Sequence, residues 1–543
     1  MPNGRGALVV IIFNGVGANS GIAMGEPYFI TKKQIEISSA TTENTQAEWD
    51  KFVNAKKIAN IALTALFERT KLEIGESEAM IIDVQKMMLD DGDFNDYVTD
   101  LIFEKKHTAL FSIQEARKYF SEFFLSLPDP YMQARATDIC DMCYRLTQNV
   151  LGNAIEIDLQ KPSVVIAKDL TPSETLQMDK SKILAFVMEE GSVTSHTVIL
   201  ARTMAIPCIV QCDFDADKMD SEIIVDGETG FVYINADSDT RTHLLNKQKE
   251  QAEHKIFLQT MFGKPTVTKS GNKIEILANI GSPDDLEYAL ANDAEGIGLF
   301  RSEFLYLGRD SFPSEEEQFE AYRKVAEGMA KPVTIRTLDI GADKQVDYFN
   351  LGKEENPALG LRGIRICIER QEIFVTQLRA IYRASGFGDV SIMFPMITSV
   401  WEVKHCKKIA SIVQKELKDE GHKLGEVKLG IMIETPSAVM LADELAKEVD
   451  FFSVGTNDLT QYTLAIDRQN NKLERFYSPK HPSVLKMLEM IAKAAKDNKI
   501  TASICGELAA DLSVTEFLLT AGFKKLSVSP SFVLKLRAKI REM

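Results

Sequence analysis

His196 stands in Gly191-Ser192-Val193-Thr194-Ser195-His196-Thr197-Val198-Ile199-Leu200-Ala201-Arg202, flanked by hydroxyl residues and followed by an apolar run. Val198, Ile199 and Ala201 have helical spacing, with Ser195 or Thr194 as the N-cap. His196 then falls in the first turn, where free backbone N–H groups and the helix dipole favour an anion. An imidazole there suits a phosphoryl group. A lone histidine in such a place is more often a cap that fills hydrogen bonds, so the reading depends on what else the chain carries.

A second set of reactive side chains lies in the C-terminal half. Arg301, Arg336 and Arg468, with Lys344, would hold a small ligand bearing both carboxylate and phosphate. Glu434 and Asp458 are carboxylates suited to a Mg²⁺ ion that keeps positions open for substrate oxygens and water. Asn457 can hydrogen-bond a phosphate, and Cys505 can deliver a proton to a carbanion. Singly, each has an ordinary reading: an arginine in an ion pair, Asp458 as a helix cap, Cys505 as core.

Their positions argue otherwise. Apolar β segments recur at 274–280, 296–300, 333–338, 390–395, 429–433, 451–454, 501–504 and 526–528, each followed by a helix-length stretch. Eight such repeats predict a (β/α)8 barrel, in which chemistry sits at the C-terminal ends of the strands. Arg301, Arg336, Glu434, Asn457, Asp458 and Cys505 fall at or just past those ends, with Lys344 and Arg468 in the loops beyond.

The N-terminal half reads as a multidomain α/β arrangement. Residues 1–38 and 152–237 form an α/β domain, interrupted at 39–151 by a helical bundle rich in Ala, Leu, Glu and Lys. A polar helix at 238–262 links this half to the barrel at 263–543. Met87 and Met88 in the bundle have the spacing of core residues.

The net charge of −16 over 543 residues argues against general nucleic-acid binding. No apolar run approaches a membrane span, so no membrane insertion is expected. Seven cysteines, an odd number, indicate neither a disulfide framework nor a zinc site, and the cytoplasm is the expected compartment.

Thr194-Ser195-His196-Thr197, the run from Phe451 to Tyr462 (FFSVGTNDLTQY), Gly430-Ile431-Met432-Ile433-Glu434-Thr435-Pro436 and Cys505-Gly506-Glu507-Leu508-Ala509 together resemble the phosphoenolpyruvate-protein phosphotransferases. This is the enzyme I family of the bacterial sugar phosphotransferase system, and the resemblance runs over essentially the whole chain. It implies that His196 accepts the phosphoryl group and that Thr175 orients its imidazole. Arg301, Arg336, Asn457 and Arg468, helped by Lys344, would bind phosphoenolpyruvate. Glu434 and Asp458 would bind Mg²⁺, and Cys505 would protonate the enolate to give pyruvate. The resemblance further implies docking of the phosphocarrier HPr on the inserted bundle and a homodimer through the barrel. Ser192, Ala342, Gln469 and Ala510 replace glycines usual in the family, and Gln85 replaces a common histidine. None of these removes a reacting group.

Three rivals make different demands. A dikinase or synthase that makes phosphoenolpyruvate from ATP shares the histidine domain and the barrel. It also needs a nucleotide-binding domain, which the short segment before the bundle cannot supply. A non-catalytic adaptor that only binds HPr has no use for His196, Cys505 and the carboxylates. A barrel lyase or aldolase acting on a keto acid needs neither the His196 segment nor the bundle.

Overall fold

The apolar runs at 164–167 and 183–188 have no polar face, so both strands must be covered on both sides. The computed structural model describes residues 10–31, 39, 41–73, 76–127, 130–153, 157–193, 195–219, 221–307, 309–341, 347–352, 354–468 and 470–543. The chain forms two compact units, residues 1–254 and 255–543.

The first unit opens with β1 (Ile11–Asn14), β2 (Val16–Asn19) and β3 (Ile22–Ile30). Five helices follow: α1 (Thr45–Glu73), α2 (Glu76–Leu89), α3 (Gly92–Phe103), α4 (Ala109–Ser126) and α5 (Pro130–Leu151). The chain returns through β4 (Ser163–Ala167), α6 (Pro172–Gln177), β5 (Ile183–Met188), α7 (His196–Thr203), β6 (Cys208–Val210), β7 (Ile223–Asp226) and β8 (Phe231–Ile234). All eight strands join one sheet in the order β1-β8-β7-β3-β4-β5-β6-β2, with β3 to β6 parallel. Strands from both sides of the helical segment therefore share a sheet, and the segment is an insertion between β3 and β4. Alternation divides the central strands between two cores. Val164, Ile166, Ala185 and Val187 face one, and Val165, Ala167, Phe186 and Met188 face the other, where Val198 and Leu200 of α7 also pack.

The bundle has its own core around Phe52, Phe94, Ile113 and Met142. Its helices start where the sequence offers caps: the Asp91 carboxylate accepts the Phe94 N–H at 2.9 Å, and the Thr108 hydroxyl accepts the Phe111 N–H. Met88 packs against that core, but Met87 is exposed, so the core reading of the pair holds for only one of them. The reading of the cysteines as scattered, with no C-x-x-C pair, is wrong at one place. Cys140 and Cys143 are spaced C-x-x-C within α5, and both are free thiols. The apolar run at 222–227 reads as a strand and is β7, but its hairpin partner β8 has no counterpart in the sequence reading. Its signal is the turn 227–230, where Gly230 has φ +79° and a Cβ would meet the Gly15 carbonyl oxygen at 2.3 Å. Helix α8 (Ser238–Gln259) follows.

The second unit is a closed parallel barrel. Its strands are β9 (Glu275–Ile280), β10 (Ile297–Phe300), β11 (Val333–Arg336), β12 (Val390–Phe394), β13 (Lys428–Ile433), β14 (Phe451–Val454), β15 (Thr501–Ile504) and β16 (Lys525–Val528). Each pairs with the next, and β16 closes on β9. The helices are α9 (Asp285–Ala291), α10 (Glu315–Met329), α11 (Ile364–Glu369), α12 (Gln371–Ala384), α13 (Val400–Asp419), α14 (Pro436–Met440), α15 (Ala442–Leu445), α16 (Thr456–Leu464), α17 (Pro482–Asp497), α18 (Thr515–Ala521) and α19 (Val533–Arg541). All eight expected strands are present. The third ends at Arg336 rather than residue 338, because the chain turns inward there and the Asp339 N–H bonds the Glu303 carboxylate at 3.1 Å. Among the described residues no helix is long and apolar enough to cross a membrane.

Candidate active site

A parallel barrel delivers every strand C-terminus to one rim, so residues far apart in sequence converge there. At that rim lies a cavity of about 550 Å³. Leu299, Met432 and Cys505 line it, and with Met393 they form a small apolar cluster beneath it. Arg301, Arg336, Glu434, Asn457, Asp458 and Arg468 line it as well. Seven of the residues singled out from the sequence thus share one cavity. Lys344 and Ala342 lie outside the described residues, as do Gln469 and Thr194.

The charged groups form a belt of alternating sign. The Arg336 guanidinium donates to Glu303 Oε1 at 2.9 Å and lies 3.1 Å from Asp339 Oδ2. Arg362 Nη2 donates to both Asp339 oxygens at 3.1 Å and stands 3.5 Å from Asp458 Oδ2. Arg468 Nε is 4.0 Å from Asp458 Oδ1, and its Nη1 is 4.0 Å from Glu507 Oε1. Asn457 and Glu507 exchange two hydrogen bonds of 3.1 Å, Asn457 Nδ2 to Glu507 Oε1 and the Glu507 N–H to Asn457 Oδ1. Burial alone would disfavour the charged forms of Arg336 and Arg362, but the surrounding carboxylates raise both pKa values above the ordinary arginine range. The Nε atoms of both are buried with no hydrogen-bond partner among the described residues, which leaves donors for a ligand. The Arg301 side chain has no carboxylate partner among the described residues.

Glu434 is 1% exposed, and its Oε1 accepts the Met396 N–H at 2.6 Å. Burial, reinforced by the charges of Asp339 and Asp458, drives its carboxyl up to about 8, against the pull of Arg336 and that N–H. The described cavity lining holds six carboxyl groups against four guanidiniums, an excess of one negative charge while Glu434 is protonated and of two once a cation displaces that proton. A divalent cation would correct that excess. Glu434 and Asp458, on the adjacent strand ends of β13 and β14, are hard oxygen donors of the kind Mg²⁺ takes, with substrate and water completing the shell. No group of three or more His, Cys, Asp or Glu side chains among the described residues is arranged to hold a metal alone. The residues present fit a cation whose remaining positions are filled by substrate oxygens and water.

Cys505 is 3% exposed, and burial pushes its thiol up to about 11, with Glu434 adding to this and Ser453, Arg336 and Arg301 opposing it. It is therefore protonated at neutral pH. Two glycines keep the cavity open. A Cβ on Gly455 would lie 2.8 Å from Glu434 Oε2, and one on Gly506 would lie 2.0 Å from the Thr456 hydroxyl.

The other reactive segment belongs to the first unit. Helix α7 begins at His196 with Ser195 as its N-cap, whose hydroxyl accepts the Val198 N–H. The His196 imidazole lies outside the described residues. The Thr197 hydroxyl donates to the Leu170 carbonyl at 2.6 Å, which ties α7 to the loop leading into α6. Thr175, buried on α6, donates to the Thr171 carbonyl at 2.9 Å and so keeps its oxygen as an acceptor.

Sequence reasoning missed Glu303, Asp339, Arg362, Tyr462 and Glu507 as members of the site. Tyr462 and Glu507 stand in segments quoted above, Glu303 and Asp339 lie just past the second and third strands, and Arg362 is in the loop after the third, so position was their only signal. The pairings themselves span 23 to 100 residues and leave no local trace.

Three family models match the chain. Residues 14–135 match the N-terminal region of PEP-utilising enzymes, 159–230 their mobile domain and 257–543 their PEP-binding domain. The chain is similar to phosphoenolpyruvate-protein phosphotransferases along nearly its whole length. It is 38% identical to that of Staphylococcus carnosus over 539 residues, covering 97% of this chain and 93% of the relative. The Listeria innocua protein is 39% identical over 536 residues, covering 97% and 94%. A solution structure of an Enzyme I protein aligns with 44% of this chain and 99% of its own, at 31% identity and a TM-score of 0.40.

Proposed function

From the premise that the chain belongs to the phosphoenolpyruvate-protein phosphotransferase family, we propose that its barrel cavity binds phosphoenolpyruvate and that His196 carries the phosphoryl group to HPr. The observation that carries this reading is the convergence of Arg301, Arg336, Arg468, Asn457, Glu434, Asp458 and Cys505 on one cavity. Phosphoryl transfer needs positioning and charge neutralisation more than covalent help, and this set supplies both.

Arg336 and Arg301 hold the carboxylate and phosphate of the substrate, joined by Arg468 and the Asn457 amide, with Lys344 in the loop after β11. Glu434 and Asp458 would hold Mg²⁺, which when bound neutralises charge on the substrate oxygens. The neutral imidazole of His196, oriented by the Thr175 oxygen, attacks phosphorus. An N–P bond forms as the P–O bond to the enol oxygen breaks, and the enolate keeps that electron pair. Cys505 gives its proton to the methylene carbon, pyruvate leaves, and the thiolate regains a proton from water. The phosphoryl charge on His196 rests at the N-terminus of α7, where helix dipole and backbone N–H groups favour it. His196 and the cavity belong to different compact units, so transfer needs the imidazole of one unit to reach the cavity of the other.

The second transfer, to a histidine of HPr, uses the inserted bundle at 39–151 as a docking surface, where Met87, Tyr119 and Phe123 are exposed. The barrel pairs with a second copy. Trp401 on α13 is 59% exposed and Met440 on α14 is exposed too, and the Ser437 hydroxyl of α14 donates to the carbonyl of Thr398, in the turn before α13, at 2.7 Å. The reading carries the enzyme to the cytoplasm, where phosphoenolpyruvate is made.

The test is pyruvate release coupled to HPr phosphorylation at varied Mg²⁺. Glu434→Gln and Asp458→Asn are each expected to slow turnover at least 100-fold and to flatten its Mg²⁺ dependence. A variant with the parent rate at the same Mg²⁺ concentration would show that the cation is held elsewhere.

A further inference from the structure

Of the six carboxylates that line the cavity, Asp339 and Asp458 both act on Glu434, yet the proposed cation site uses only Glu434 and Asp458. Arg362 accounts for the difference. It is 8% exposed, and Nη2 lies 3.1 Å from both oxygens of Asp339 and 3.5 Å from Asp458. The guanidinium is itself held. Nη1 donates to the Tyr462 hydroxyl at 3.1 Å, and that hydroxyl donates to the Ala358 carbonyl at 2.5 Å, which ties the loop bearing Arg362 to α16. On the other side of Asp339 stands Arg336, 3.1 Å from Oδ2. Asp339 is therefore gripped between two guanidiniums, and Asp458 is gripped by one of the same pair.

We propose that Arg362 is a positioning residue that holds Asp339 out of the cation site, so that Mg²⁺ binds weakly to the empty cavity and firmly only with phosphoenolpyruvate. The proposal rests on the reading of Glu434 and Asp458 as the cation ligands. A hard cation gains affinity with each carboxylate it takes. A third would let it settle without substrate, and the loss of a guanidinium would leave the cavity more repulsive to a ligand carrying carboxylate and phosphate. Arg362 thus couples the two: removing it should tighten the cation and loosen the substrate. A role limited to stability would move both affinities the same way or neither.

The experiment titrates Mn²⁺, alone and with phosphoenolpyruvate, into the full chain carrying His196→Ala, so that substrate is not consumed. Binding is read by calorimetry and by the electron paramagnetic resonance signal of free Mn²⁺. Arg362→Met is expected to tighten Mn²⁺ binding to the substrate-free protein about tenfold and to weaken phosphoenolpyruvate about tenfold. Adding Asp339→Asn should abolish the gain in Mn²⁺ affinity. A gain that persists in that double variant, or two affinities that shift in the same direction, overturns the proposal. If Arg362→Met melts too early to titrate, Arg362→Lys carries the test. It keeps a charge but cannot grip both Asp339 oxygens, so the same opposed shifts are expected at smaller size, and unchanged affinities overturn the proposal. Mn²⁺ binding that ignores Glu434→Gln would overturn the cation reading itself. Binding that needs Glu434 but ignores Arg362→Met would overturn only the role given to Arg362.

Discussion

Replacing Cys505 by alanine should separate the two halves of the reaction. The thiol is buried at the end of β15, and its pKa of about 11 leaves roughly one molecule in 10⁴ ionised at pH 7. The proton is therefore present whenever an enolate forms. Its loss should slow pyruvate formation by the 10²–10⁴-fold range of a positioned general acid. The fold should barely register the change. Deleting one sulfur beside Leu299, Met393 and Met432 opens a cavity worth about 1 kcal/mol, or a few degrees in Tm. Phosphorylation of His196 by phospho-HPr does not use the barrel cavity, so the same variant should accept that phosphate at nearly the parent rate. The assay is a pair of single-turnover measurements by rapid quench, one reading pyruvate and the other the phosphoprotein. Equal losses in the two would refute the reasoning and leave Cys505 as a packing residue. The pH profile gives a further check. The protonated thiol is the active form, so its contribution is constant below about pH 10 and lost as pH rises through 11. A thiol ionisation seen near pH 8 in the pyruvate step would contradict that environment.

Gly455→Ala should act through Glu434. The new methyl would lie 2.8 Å from Oε2 of a carboxylate whose other oxygen is bound by the Met396 N–H, so the carboxylate must turn, at a cost of about 1–3 kcal/mol. The Mg²⁺ concentration for half-maximal rate should rise about tenfold or more, and an unchanged Mg²⁺ titration in the variant would contradict the argument. Glu315→Gln tests the ion cluster outside the barrel. Burial raises the Glu315 pKa, but hydrogen bonds from Arg379 and Arg383 more than offset it and hold the pKa below its ordinary 4.5. A depressed carboxylate stabilises the fold above its unfolded pKa and loses that contribution as pH falls through the folded value. The variant should therefore be less stable by about 1–3 kcal/mol at pH 7, with the gap closing below pH 4.5. Denaturant midpoints at pH 7 and pH 3.5 that differ equally between the two proteins would rule this out.

Much of the architecture was legible because it is written in local pattern. Strand segments such as 451–454 and 501–504 are short apolar runs bounded by turns or helices, and the barrel reproduces both of them residue for residue. The start of α7 was legible for the same reason, with the N-cap narrowed to Ser195 or Thr194, and Ser195 fills it. What escaped depends on chain segments meeting in space. Arg362 reads as one arginine of a Gly-rich loop, and only closure of the barrel brings it to Asp339 and Asp458. Glu303 lies just past the second strand, yet its carboxylate binds Arg336, 33 residues away, and the Asp339 backbone, which pulls the chain inward at the end of β11. Met87 and Met88 share a composition and differ only in the helix face they occupy, which a short window does not resolve. Strand β8 was in principle readable from Gly227 and Gly230, which bound the four-residue turn after β7.

The central claim is that the phosphoryl group of phosphoenolpyruvate comes to rest on His196. The direct measurement is incubation of the full chain with phosphoenolpyruvate labelled in the phosphoryl group and Mg²⁺, followed by acid and base treatment and by the same experiment on His196→Ala. The account predicts one acid-labile, base-stable label per chain on the parent protein, released to added HPr, and none on the variant, which should still bind phosphoenolpyruvate. Label that survives acid, or that appears on His196→Ala, would contradict it.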